Sequence, residues 1–126
     1  MAKAPGYRAR PGHNIREAQE QQVVRVVARD LTVAESRSTI RVEERGHPVR
    51  YYFPKRDVHT DLLERTDTTS RCPFKGTANY FTLAIAGHRF IDAVWTYEEP
   101  YDEHRDLQGL LAFYTEKFPE LELRVG

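Results

Sequence analysis

Apolar and polar positions alternate with a period of two over much of this chain, which predicts half-buried strands. In residues 38–44, Ile40 and Val42 share one face while Thr39, Arg41 and Glu43 share the other. Residues 22–28 are a β-branched run that predicts a strand, Arg29-Asp30 a turn, and residues 31–34 the returning strand. Gly46-His47-Pro48 interrupts the pattern, and residues 49–53 resume it, with Val49, Tyr51 and Phe53 on one face and Arg50 and Tyr52 on the other. The polar residues 64–71 predict a surface loop or an edge strand.

Residues 78–86 and 88–97 flank Gly87 and carry the strongest hairpin signal. Asn79, Phe81, Leu83 and Ile85 oppose Tyr80, Thr82 and Ala84 across the first strand, and Trp95 and Tyr97 share a face of the second. One segment has helical spacing: Leu107, Leu110, Leu111, Tyr114 and Phe118, with Asp102 as its candidate cap and Pro119 as its stop. Leu121, Leu123 and Val125 alternate as a last strand. The elements predict a mainly β fold, a single small domain of curled antiparallel sheets with one C-terminal α-helix packed against them.

Composition narrows the function classes. The 126 residues hold 19 basic and 19 acidic side chains, so no overall field steers the protein to nucleic acid or an anionic membrane, and neither is an expected partner. A single cysteine excludes an internal disulfide framework and zinc sites built from cysteine pairs. No stretch has the apolar length of a signal peptide or a bilayer span, which makes the cytoplasm the expected setting. Residues 1–21, with two prolines and two glycines in the first twelve positions, predict a flexible arm or short helix ahead of one β-rich domain over 22–126.

The densest chemistry lies in Arg71-Cys72-Pro73-Phe74-Lys75-Gly76. Pro73 fixes φ near the value wanted at the second position of a β-turn, and Cys72 before it is pushed to an extended backbone. A turn from Cys72 to Lys75 would hold their Cα atoms within roughly 7 Å, and a neighbouring ammonium turns a thiol into a better nucleophile. Cys72 and Lys75 are therefore the candidate catalytic pair. The same cysteine also suits a small buried apolar position. Lys75 and Gly76 could receive an anion, and Tyr52, Tyr80, Trp95 and Tyr97 could line a pocket for a small planar ligand, with Asp57 orienting Lys75 or capping a turn at Val58. Trp95 and Tyr97 stand together in the core or together on a cavity. His47, His59, Asp57, Asp61 and Cys72 carry metal-ligating atoms that no motif gathers, so no metal or cofactor is expected.

Taken together, Tyr51-Tyr52-Phe53-Pro54 with Asp57-Val58, Cys72-Pro73-Phe74-Lys75-Gly76, Tyr80, Ala93-Val94-Trp95-Thr96-Tyr97 and Pro100 resemble a bacterial and fungal family known as domain of unknown function 427, from about residue 23 to 114. The resemblance implies a compact β fold of the tent-like kind, in which two small sheets meet over a pocket. Many relatives of that broad architecture hold zinc with two cysteine pairs, which this chain lacks. The family also carries a nucleotidyltransferase label, which no carboxylate constellation here supports. Three readings follow: a small-molecule-binding domain with its pocket at the Cys72 to Gly76 turn, an enzyme with Cys72 as nucleophile, and a structural or interaction module. Oligomeric state is open.

Overall fold

The computed structural model describes residues 2–126, and its strands form three antiparallel sheets. A one-turn helix α1 (Pro5–Ala9) precedes β1 (Ile15–Gln19), which pairs with β4 (Ile40–Glu44), itself paired with β5 (Arg50–Tyr52). A second sheet has the order β10 (Leu121–Val125), β2 (Val24–Ala28), β3 (Leu31–Ser36). The third runs β6 (Leu63–Cys72), β7 (Gly76–Ile85), β8 (His88–Tyr97), β9 (Leu111–Phe113). The polar residues 64–71 thus belong to an edge strand, as alternation without apolar positions allows.

Two tight turns set these registers. Ala86-Gly87 joins β7 to β8 and Arg29-Asp30 joins β2 to β3, with all four residues at positive φ. That is the hairpin geometry whose twist matches the flanking strands. The register slips between Phe81 and Leu83 opposite β8, and between Arg65 and Thr69 on β6. Asp92, at φ 54°, sits in the first irregularity, and its carboxylate accepts from Thr66 Oγ1 and Thr68 Oγ1, both at 2.7 Å. Bulges bend the strands that carry them, which accounts for the curl of this sheet.

The register also assigns the two faces of the four-stranded sheet. Phe81, Leu83, Phe90, Val94 and Phe113 lie on one face, against Val24, Val26 and Val33 of the second sheet. Ala78, Trp95, Tyr97 and Ala112 lie on the other, against Val42 and Tyr52 of the first. Each face has its own core.

The chain ends differ from expectation. No α-helix spans 102–118. Asp102–Leu107 is a 3-10 segment without a side-chain cap, Gly109 turns left-handed at φ 73°, and Leu111–Phe113 pairs with β8 as a strand. The spacing of Leu107, Leu110 and Leu111 reflects burial from a turn and then a strand. A main-chain exchange between Phe53 and Leu111, at 2.7 and 2.8 Å, competes with helical hydrogen bonds here. Of the expected arm over 1–21, the described residues 2–21 hold α1, packed on the hairpin tip, and β1, a strand of the first sheet: Gly6 N donates to Pro73 O at 2.9 Å and Ala4 N to Glu103 Oε1 at 3.0 Å. Among the described residues, no helix is long and apolar enough to cross a membrane.

Candidate functional site

The β6–β7 hairpin closes through Pro73-Phe74-Lys75, with Cys72 paired to Gly76. Gly76 adopts φ 128°, where a side chain is strained, and a Cβ there would lie 3.3 Å from Glu99 O. Tyr101 N donates to Lys75 O at 2.9 Å, so the tip is tethered as well as turned. Phe74 is gripped from the N-terminal side. His13 stacks on its ring at 4.2 Å, Tyr7 meets it edge-on at 4.9 Å, and a Cβ on Gly6 would come within 2.7 Å of it.

Fixing Phe74 aims its neighbour inward. Lys75, only 8% exposed, donates to Glu44 Oε1 at 2.8 Å, while His13 Nε2 donates to Glu44 Oε2 at 2.8 Å. Burial opposes the Glu44 charge, but the hydrogen bonds from Lys75 and His13 outweigh it and hold the carboxyl below its ordinary range. Burial likewise opposes the Lys75 charge; Tyr52, the Glu44 hydrogen bond and Cys72 more than offset it, leaving the ammonium above the ordinary lysine value.

Beside this pair opens a cavity of about 400 Å³. Trp95 forms its wall, with Tyr80 at 6.3 Å, Tyr52 edge-on at 6.5 Å and Tyr114 at 5.6 Å between ring centroids. The Trp95 Nε1–H donates to the Tyr52 hydroxyl at 3.3 Å. Arg50 lies 4.8 Å above the indole, locked by Glu116 through bonds of 2.8 and 2.5 Å and by Phe113 O at 3.0 Å. Burial pushes the Tyr52 and Tyr97 phenols well up, so both stay neutral at physiological pH. Trp95 and Tyr97 do share a face, and both are largely buried while lining the cavity.

The structure therefore brings Tyr52, Cys72, Lys75, Tyr80, Trp95 and Tyr97 to one cavity. It does not bring Asp57 or Gly76 there. Asp57 accepts from Ser36 Oγ at 2.6 Å at the end of β3, so it is not the partner of Lys75. Gly76 borders a separate cleft with Thr77, Glu98 and Tyr101, and its part in the site is to turn the backbone. Glu44 and Tyr114 line the cavity although sequence reasoning passed over them as site residues, and Arg50, whose alternation suits a surface charge ladder, lines it too. For Glu44 a signal existed: it follows Val42 by two positions and so shares its inward face.

A second polar cluster anchors the N-terminal segment. His104 is buried, meeting Glu17 through Nδ1 and the Tyr7 hydroxyl through Nε2 at 2.6 Å. A carboxylate only accepts, so Nδ1 carries a proton and donates it to Glu17, while Nε2 shares the second hydrogen bond with the Tyr7 hydroxyl. Burial, helped by Glu44 and Glu103, raises the Tyr7 phenol to about 12. Among the described residues, no group of three histidine, cysteine, aspartate or glutamate side chains is placed to hold a metal ion.

No curated protein matches this chain. A family model described as "Domain of unknown function (DUF427)" matches residues 16–123, a span running from β1 into β10 and including the whole cavity wall. The chain belongs to the domain of unknown function 427 family.

Proposed function

We propose that the chain is a small-molecule-binding domain whose ligand occupies the cavity between the β6–β7 hairpin tip and strands β4, β5 and β8. One observation carries this reading: aromatic rings and a buried ammonium contributed by strands β5, β7 and β8, the β6–β7 tip and Tyr114 just past β9 converge on about 400 Å³ of open space. Small-molecule sites commonly occupy roughly 300–1,000 Å³, with mostly apolar walls and few polar groups. Lys75 supplies charge and Glu44, in place of Asp57, orients it. A calorimetric fragment screen tests the assignment. Lys75→Ala and Trp95→Ala are each expected to abolish binding of the same fragment, with Tyr80→Ala as the substitute where loss of the indole unfolds the protein. Retained affinity in both variants removes the pocket assignment.

A second reading rests on Cys72, which is half-buried and lines the same cavity. As a nucleophile it would attack an electrophile seated against Trp95. The hydrogen bond that Lys75 makes among the described residues goes to Glu44 and not to Cys72. Alkylation of the single thiol in the native protein, compared with the unfolded chain, separates the two. Native reactivity persisting well below the ordinary thiol pKa of about 8.5 supports the enzyme, and reaction only after unfolding makes Cys72 a packing residue.

A further inference from the structure

The cavity wall is rich in donors and poor in free acceptors. Tyr97 is 6% exposed, and its hydroxyl forms no hydrogen bond with any described residue. The Tyr52 hydroxyl accepts from Trp95 and keeps its own proton to give. The two rings lie 6.4 Å apart between centroids. Lys75 has three N–H bonds, of which the bond to Glu44 uses one. Glu44 is the only carboxylate among the described lining residues, and both of its oxygens are taken, by Lys75 and His13.

Donors that face an open cavity favour whatever brings acceptors. A cation finds little here: each Glu44 oxygen already accepts a hydrogen bond, and the Lys75 ammonium and Arg50 guanidinium line the same cavity. A neutral alcohol brings one acceptor and a surplus proton. A carboxylate brings two oxygens and no proton, with a charge that complements Lys75. The walls set the rest of the molecule, because Trp95, Tyr80 and Tyr114 offer rings that pair with another flat ring.

Building on the binding reading above, we propose that the cavity takes a planar aromatic carboxylate, its ring against Trp95 and Tyr80 and its oxygens on the Tyr52 hydroxyl, the Tyr97 hydroxyl and the Lys75 ammonium. Both phenols remain protonated donors at neutral pH because burial opposes their ionisation.

The test is a calorimetric titration of the full chain with three probes sharing one ring: naphthoate, naphthylmethanol and naphthylmethylammonium. Naphthoate is expected to bind at least about tenfold more tightly than either of the others, and Tyr97→Phe to weaken naphthoate by about tenfold and by more than it weakens naphthylmethanol. Tyr52→Phe serves as the second variant where Tyr97→Phe fails to fold. Equal or tighter binding of the alcohol or the ammonium overturns the proposal, as does unchanged naphthoate affinity in the phenylalanine variants. No binding of any of the three also overturns it. In that case a fragment screen that still places other ligands at Trp95 keeps the pocket reading, and one that places none removes both.

Discussion

The two faces of the four-stranded sheet are built by opposite rules. One face presents Leu83, Phe90, Val94 and Phe113 to aliphatic residues of β2 and β3, with no ionisable group in the cluster's buried members except neighbouring rims. The other presents Trp95, Tyr97 and Tyr80 to a space shared with Lys75, Glu44 and Arg50. Strand β8 serves both, its successive residues Val94 and Trp95 pointing to opposite sides. Burying a large apolar side chain contributes about 1.5–3 kcal/mol, whereas rings that line an open cavity forgo part of that packing. The comparison teaches that the aliphatic face supplies the stability that lets the other face keep a cavity.

Breaking the aliphatic face produces the largest effect. Leu83→Ala is expected to lower stability by about 3 kcal/mol in urea unfolding, with fragment binding retained below the transition. Next come the charges of the cavity face. Glu44→Gln or Lys75→Met, each leaving one charge uncompensated, is expected to cost about 2 kcal/mol, and the double variant less than either single, in a double-mutant cycle.

The pH dependence of the same pair has a defined sign. Glu44 titrates lower in the fold than in the unfolded chain, so its contribution is full above about pH 4.3 and is lost as pH falls through the folded value. Lys75 titrates higher in the fold, so its contribution is full below about pH 10.4 and is lost as pH rises through the folded value. The contribution of this pair therefore has a plateau between these limits. Glu44→Gln flattens the acid limb and Lys75→Met the alkaline limb, measured as melting temperature against pH.

Smaller effects sharpen the contrast. Ala86→Gly, in the turn at the end of the sheet, relieves a left-handed alanine and is expected to raise stability by about 0.5–1 kcal/mol without touching either face. Tyr97→Phe removes a hydroxyl with no partner among the described residues, and its melting temperature is expected to shift by the equivalent of less than about 0.5 kcal/mol. A substitution that is silent for folding and costly for binding is what separates the two faces.

Much of this was legible because period two is a local signal. The Ala86-Gly87 hairpin and the shared face of Trp95 and Tyr97 follow from alternation and turn chemistry, whereas the polar residues 64–71 left a loop and an edge strand equally open. The site follows in part, since the Cys72 to Lys75 turn and the aromatic strand meet as alternation and the hairpin suggest. What failed was non-local. Leu107 to Phe118 carry helical spacing, yet Gly109 and the exchange between Phe53 and Leu111 make a turn and a strand. Asp57 stood beside the aromatic strand in sequence, but Ser36 captures it from another sheet. Gly6, Tyr7 and His13 look like an unstructured, polar leader until Phe74 gives them something to close around.

The most direct test of the account is amide and indole NMR of the uniformly labelled chain during titration with a cavity-binding fragment. The account predicts shifts at the Trp95 indole N–H and at the amides of Cys72, Lys75 and Gly76, with Leu83, Phe90 and Val33 unmoved. Shifts spread equally over both faces, or confined to the aliphatic one, would contradict the division of labour on which it rests.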